Sequence, residues 1–255
     1  VSLSLFDLTG RTALVTGSSR GIGLAIAGGL ARAGARVVIN GRNADAVQKA
    51  VDELRKAGLA AEPRVFDVSD PKDVEAAIEG IEREIGAIDI LVNNAGKQHR
   101  SLVVDFPDEA WHDLIRTNVD SVFFMSRAVG RRMIPRKRGK IINIGSVQSE
   151  LGRATISPYT ATKGAVKMLT KGLCAEWAQH GIQVNAIGPG YFDTELTKTL
   201  VENKEFTEWL CRRTPAGRWG KVDELIGAAI FLASDASGFV NGHLLMVDGG
   251  LTSIV

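Results

Sequence analysis

Tyr159 and Lys163 stand four residues apart in a segment of helical periodicity, so their side chains project from one face, a turn apart. A phenol has a pKa near 10, so about one part in a thousand is ionised at pH 7, and full ionisation costs about 4 kcal/mol. A neighbouring ammonium supplies part of that, which makes Tyr159 a candidate proton shuttle. Ser146 ends a β-branched run, which places it at the carboxyl edge of a sheet, where ligands of parallel α/β folds bind. Its hydroxyl there can steady a substrate oxygen. A Tyr-x-x-x-Lys pair alone is a common helix-surface spacing, and the rest of the chain has to give it meaning.

The second constellation is Thr16-Gly-Ser-Ser-Arg-Gly-Ile-Gly23, at the first strand-to-helix turn. Gly17, Gly21 and Gly23 let the backbone approach a pyrophosphate, and Ser19, Arg20 and Ile22 fill the loop that opens the helix. The spacing departs from G-x-G-x-x-G, and its position after a strand is what makes it a dinucleotide loop. After the second strand, where an NAD enzyme carries a carboxylate for the adenosine ribose, the chain reads Asn40-Gly41-Arg42. Arg42 and Arg20 offer guanidinium forks to a 2′-phosphate, so the pair selects NADP. Asp67, with Val68 after it, either accepts from the adenine amino group or caps the loop. An oxidised nicotinamide would add a second cation beside Tyr159, and lysine, ring and partial dryness together predict a phenol lowered by a few units.

Strands and helices must position these groups. Short apolar runs at Arg11–Gly17, Arg36–Asn40, Ala60–Phe66, Ile88–Asn93, Lys140–Gly145, Ile182–Ile187 and His243–Val247 read as strands. Helical patterns separate them at Ile22–Ala33, Ala44–Ala57, Pro71 to about Gly86 with Asp70 as cap, Asp108 to Met133, Ser157–His180, Glu195–Arg212 and Val222–Ala233. This alternation predicts an α/β fold: a doubly wound, seven-stranded parallel sheet of the Rossmann type with helices on both faces. No repeat or Pro/Ser-rich linker divides it, so residues 1–255 read as a single domain.

Composition removes other classes. With 31 basic and 29 acidic residues the net charge is +2, and the apolar share of 45% sustains a large core. The basic run Arg127, Arg131, Arg132, Arg136, Lys137, Arg138, Lys140 lacks interleaved aromatics and reads as a solvated surface, so no nucleic-acid partner is expected. No uncharged apolar run reaches the length of a spanning helix, so no membrane partner is expected either. The two cysteines, Cys174 and Cys211, suit a reducing cytoplasm. Val1 to Gly10 carries no basic cluster of a leader type. His99, His112, His180 and His243 have no metal-ligand spacing, and no catalytic metal is expected.

Taken in order, Thr16–Gly23, Asn93-Asn-Ala-Gly96, Ser146 and Tyr159 with Lys163 resemble the T-G-x-x-x-G-x-G, N-N-A-G, Ser and Y-x-x-x-K motifs of the short-chain dehydrogenase/reductase family, across essentially the whole chain. The resemblance implies that Asn118 holds a water of the proton relay, Ser146 orients the carbonyl, Tyr159 donates the proton and Lys163 binds the nicotinamide ribose. It also implies that Asn94, with Ala95 and Gly96, supports the cofactor, that Pro189, Gly190 and Thr194 contact the nicotinamide amide, and that the protein is a homotetramer.

Five further stretches, at 40–43, 146–151, 158–166, 213–220 and 245–250, carry a closer resemblance to the family's sugar-acid reductases, which implies reversible reduction of a keto sugar acid at C5 with NADPH. Lys97, His99 and Arg100 follow the N-N-A-G loop, and Arg100 is the first choice for a substrate carboxylate. Gln148 and Glu150 are placed for polyol hydroxyls and Tyr191 for the far wall. Residues 191–219, with Trp209, Arg212, Arg213 and Trp219, read as a lid or as ordinary core packing. Two rivals stay open: a reductase of 3-oxoacyl groups on an acyl carrier protein, and a regulatory protein that senses NADPH without turnover.

Overall fold

A computed structural model describes residues 3–255, so Val1 and Ser2 of the opening segment lie outside it. The first half alternates without interruption. It runs β1 (Thr12–Val15), α1 (Gly21–Arg32), β2 (Arg36–Gly41), α2 (Ala44–Lys56), β3 (Ala61–Val65), α3 (Pro71–Glu84) and β4 (Ile88–Asn93). Helix starts follow local chemistry: the Asn43 side chain accepts from the Ala46 amide, and Asp70 accepts from the Lys72 and Asp73 amides ahead of Pro71.

The second half runs α4 (Asp108–Ile115), a π-helical turn (Arg116–Asp120), α5 (Ser121–Arg136), β5 (Gly139–Ile144), α6 (Ser157–Trp177) and β6 (Ile182–Pro189). Then follow β7 (Phe192–Asp193), α7 (Lys198–Val201), α8 (Lys204–Arg213), β8 (Gly220–Lys221), α9 (Ile226–Ala233) and β9 (Leu244–Val247).

Seven strands form one parallel sheet in the order β3-β2-β1-β4-β5-β6-β9, the doubly wound sheet expected from the alternation. Strands β1 and β4 are neighbours although β2 and β3 intervene in sequence, so the strand order reverses between them. A crevice opens there at the carboxyl ends of the strands. Ile26, Leu30, Val47, Val51 and Leu232 pack one face, and Val74, Ile78, Met125, Val129 and Leu173 the other. Each face loses water, which explains why β1, β4 and β5 are buried throughout rather than alternating.

Three elements differ from the sequence pattern. The continuous helix over 108–133 is interrupted by the π turn at 116–120 and continues through Pro135 to Arg136. The segment 195–212 is a 3-10 turn and two short helices, because Asn203 caps a new start by accepting from the Phe206 amide. A two-stranded parallel ladder joins β7 to β8, a pairing too short to leave a sequence signal.

The basic run also needs correcting. Arg131 and Arg132 pair with Glu75, Arg136 with Glu82 and Arg138 with Asp89. Lys140 is not solvated: it is 4% exposed, and its Nζ donates to Ser237 Oγ at 3.2 Å.

Candidate active site

The glycine turn is built by steric necessity. A Cβ on Gly17 would lie 2.9 Å from the Ala95 Cα, and one on Gly23 would lie 2.5 Å from Asn94 Nδ2 and 2.6 Å from the Gly17 carbonyl oxygen. Gly17 and Gly21 have φ of 59° and 58°, the left-handed region. Thr16 and Asn94 then clamp the turn to the end of β4. Thr16 Oγ1 accepts from the Asn94 and Ala95 amides at 2.9 and 3.0 Å, while Asn94 Nδ2 donates to the carbonyls of Thr16 and Gly17 at 2.9 and 3.0 Å. Asn94 thus supports the loop from beneath.

From this turn a cleft of about 660 Å³ runs along the carboxyl edge of the sheet. It is lined by Gly17, Ser19, Arg20, Gly21, Ile22, Gly23, Asn40, Arg42, Val68, Asn94, Ala95 and Gly96 at one end. Arg100, Ser146, Gln148, Tyr159, Lys163, Pro189, Gly190, Tyr191 and Thr194 line the other. A helix N-terminus beneath a side-chain-free turn, with a long cleft beside it, fits a dinucleotide.

At the adenosine end Asn40 is buried and fully engaged. Its Oδ1 accepts from the Gly17 amide at 3.1 Å, and its Nδ2 donates to the Arg64 and Phe66 carbonyls. No carboxylate stands at that place. Arg42 lies 3.7 Å from the half-buried Asp67, and Arg20 lies 3.3 Å from Glu195, an exposed pair. Asp67 does not line the cleft. Partial burial raises its carboxyl, but hydrogen bonds from Ser69 and the charge of Arg42 outweigh that and hold it below the usual range. Of the two readings open for Asp67, the geometry favours loop capping.

At the other end Ser146, Tyr159 and Lys163 converge. Ser146 follows β5 in extended conformation and accepts from the Gln148 amide at 3.1 Å. Its hydroxyl hydrogen-bonds the Tyr159 phenol, which favours ionisation, yet burial is the larger effect and pushes the phenol up to about 12. With the protein's own groups alone, burial moves the phenol in the opposite direction from the lowering expected of Lys163, an oxidised nicotinamide and partial dryness together. Lys163 Nζ donates to the Ile144 carbonyl at 2.6 Å and lies 5.6 Å from the centre of the Tyr159 ring. Burial pulls the Lys163 ammonium down to about 8.

Asn118 is buried at the π turn, outside the cleft lining. Its Oδ1 accepts from the Lys97 amide at 2.9 Å, and its Nδ2 donates to the Lys97 carbonyl and to Thr162 Oγ1. It thereby ties the N-N-A-G loop to the helix that bears Tyr159.

Glu150 does not enter the cleft. It is exposed and paired with Lys167 at 2.8 Å, because the 3-10 turn at Val147–Ser149 directs it towards α6. Lys97 is held by Asp113, and the His99 ring packs edge-on against Phe106 at 5.1 Å, which leaves Arg100 as the cation of that loop free to face the cleft. Thr194 lines the cleft, but its hydroxyl is shared with Thr197 in a capping box. Sequence reasoning missed Arg153, Phe66 and Leu200, all of which line the cleft. For Arg153 a signal existed: it is the one basic residue in the loop between Ser146 and Tyr159.

In the 191–219 segment, Tyr191, Phe206 and Trp219 form an aromatic cluster with ring centres 5.7 to 6.1 Å apart. Arg213 donates to the Leu251 and Ile254 carbonyls. The described residues contain no group of three or more His, Cys, Asp or Glu placed to hold a metal ion, and no helix long and apolar enough to cross a membrane.

A glycine-turn dinucleotide cleft ending in Ser146, Tyr159 and Lys163 defines a class. The chain belongs to the short-chain dehydrogenase/reductase family, and a family profile described as Enoyl-(Acyl carrier protein) reductase matches residues 17–252. It is 60% identical over 248 residues to a gluconate 5-dehydrogenase of Gluconobacter oxydans, with 97% of each chain covered. It is 56% identical over 247 residues to a 5-keto-D-gluconate 5-reductase of Escherichia coli, again over 97% of each. A solved structure of a gluconate 5-dehydrogenase from Burkholderia cenocepacia, in complex with NADP and tartrate, matches with a TM-score of 0.97 at 60% identity, covering 99% of each chain.

Proposed function

We propose that this chain is an NADP-dependent oxidoreductase that interconverts D-gluconate and 5-dehydro-D-gluconate. The observation that carries the reading is the meeting of Ser146, Tyr159 and Lys163 with Arg100 at one end of a cleft whose other end is the glycine turn with Arg20 and Arg42. Bound NADPH supplies the hydride that reaches C5. The Tyr159 phenol gives its proton to the C5 oxygen, so the C=O bond becomes a CH–OH, and Ser146 holds that oxygen in place. Lys163 binds the nicotinamide ribose and keeps a positive charge beside the phenol. Asn118 holds a water of the proton relay, while both ends of its side-chain amide are engaged by Lys97 and Thr162. Arg20 and Arg42, now paired with Glu195 and Asp67, would hold the 2′-phosphate of the cofactor. Pro189, Gly190 and Thr194 line the part of the cleft where the nicotinamide would lie, and Gln148 and Tyr191 the part where the sugar chain would.

We further infer a single domain in which 191–219 folds over substrate, a homotetramer, and residence in the cytoplasm. Exposed Trp111, Phe123 and Met168 on α4, α5 and α6 supply apolar surface for subunit contact, and both cysteines are free thiols. The acyl-carrier alternative draws support from the description of the matching family profile. Against it, the basic run that would meet an acidic carrier is largely neutralised by Glu75, Glu82 and Asp89.

Initial rates with 5-dehydro-D-gluconate, acetoacetyl thioester and a panel of keto sugars, each with NADPH and NADH, test the reading through absorbance of the reduced cofactor. Preferred turnover of 5-dehydro-D-gluconate with NADPH is expected. Faster turnover of the thioester favours the carrier-protein reductase, and NADPH binding with no turnover of any acceptor favours the sensor.

A further inference from the structure

We propose that Arg153 is a specificity-determining residue which, together with Arg100, forms a two-guanidinium receptor for the carboxylate of the substrate. The inference rests on the reading of the cleft as a sugar-acid site and names the part of it that distinguishes an acid from a neutral sugar.

Both arginines line the same end of the cleft as Ser146 and Tyr159. They feel each other as like charges, and burial together with that repulsion holds Arg100 below the ordinary guanidinium value. Among the described residues neither has a carboxylate partner. The acids of the flanking segments are engaged elsewhere, Glu150 with Lys167 and Glu195 with Arg20. Arg153 Nε is buried with no hydrogen-bond partner, so the charge is only partly satisfied within the protein and its outer N–H groups are what a ligand in the cleft can meet.

The Arg153 side chain is also fixed in place. Its guanidinium lies 5.9 Å from the ring centre of Tyr191 and 5.2 Å from that of Phe206, and the Tyr191 hydroxyl hydrogen-bonds both Arg153 and Gln148. Cation–π contact with two rings and the hydrogen bond to Tyr191 pre-organise a planar fork, so little entropy is lost when an anion docks. A carboxylate offers about four lone-pair sites on two oxygens, enough to accept from two forks at once. One anion between the two guanidinium groups would relieve their mutual repulsion. A neutral keto sugar does not.

A purely structural role, in which Arg153 only pins the aromatic cluster, makes a different prediction. The test is titration of intact enzyme saturated with NADP using tartrate and its uncharged tetritol counterpart, threitol, followed calorimetrically for wild type, Arg153→Met and Arg153→Lys. Methionine keeps an apolar stem against Tyr191 and Phe206, and lysine keeps the charge without the fork.

Wild type is expected to prefer tartrate over threitol by at least about tenfold, a preference that Arg153→Met collapses and Arg153→Lys partly restores. An unchanged preference in Arg153→Met overturns the proposal, as does equal weakening of both ligands, the signature of lost packing. Should Arg153→Met fail to bind NADP, the decision falls to Arg153→Lys, where an undiminished preference overturns the proposal and a reduced one supports it. Because this readout needs no turnover, it is separate from the substrate panel. Failure to reduce 5-dehydro-D-gluconate sinks the reaction assigned above, and an intact tartrate preference in the variants sinks the receptor.

Discussion

In the proposed mechanism the Tyr159 phenol is poised as an acid rather than as a base. Burial holds it near 12 and Ser146 only partly opposes that, so at neutral pH the protonated form dominates. Carbonyl reduction uses that form directly, whereas oxidation of the alcohol must begin from the phenolate. The pH dependence therefore splits by direction. Reduction is expected to be nearly flat between about pH 6 and 8, while oxidation climbs throughout and keeps climbing beyond the Lys163 transition near 8. Initial rates in both directions across that range check this, and an oxidation rate that levels off well below pH 8 would contradict it. Tyr159→Phe removes the exchangeable proton and little volume, so a loss of roughly a thousandfold in kcat is expected with NADPH affinity nearly unchanged. A variant that keeps its turnover would remove Tyr159 from the proton path. These two residues were legible in sequence because four-residue spacing puts them on one helix face. The direction of the phenol's shift was not, because it depends on burial by elements far apart in sequence, which no helix spacing records.

At the level of elements, the sheet and its helices could be read from alternating hydrophobic runs, since each strand and each helix carries its own period. Breaks within helices could not. The π turn that carries Asn118 comes from tertiary hydrogen bonds to Lys97 and Thr162, partners 21 and 44 residues away, which no local pattern records. Glu150 misled for a similar reason: proximity to Ser146 in sequence suggested the cleft, but one 3-10 turn aims it at Lys167. The glycine turn lies at the opposite extreme, since its residue types announce a backbone that cannot tolerate side chains. Gly23→Ala tests that constraint. The new methyl would meet Asn94 Nδ2, the Gly17 carbonyl and the Ser18 Cα, all under 3.0 Å, and two of the three belong to the turn's backbone. Relief must move the turn away from β4 or break the Asn94 clamp. Either way, NADPH affinity is expected to fall by at least about tenfold and stability by about 1–3 kcal/mol, read by cofactor titration and thermal unfolding. An alanine variant with wild-type affinity would show that the turn has slack the contacts do not reveal.

Across the whole molecule the net charge of +2 hides an uneven distribution. Most of the basic run before β5 is balanced by acids on α3 and β4, but its last member, Lys140, is carried into the interior on β5. Burial lowers its ammonium from 10.5 to about 8, and the attraction of Asp235 offsets only part of that, with Arg11 opposing it. The lysine is thus a cost borne by the fold. In the unfolded chain it binds its proton up to about pH 10.5, and in the native protein only up to about 8, so between these values the unfolded state holds more protons and stability rises with pH. Below about pH 8 the penalty is present in full, on the order of 3 kcal/mol for a depression of this size. Ser237 does not need the lysine, since its hydroxyl can also donate to the carbonyls of Leu232 or Ser234. Lys140→Met keeps the length and apolar stem and removes the charge, so it is expected to raise Tm by several degrees at pH 7. That advantage should shrink steadily from about pH 8 upward and be nearly gone by about pH 11. Paired melting curves at neutral and alkaline pH measure it, and a difference that stays constant with pH would mean the substitution acts through packing, with the buried ammonium contributing nothing.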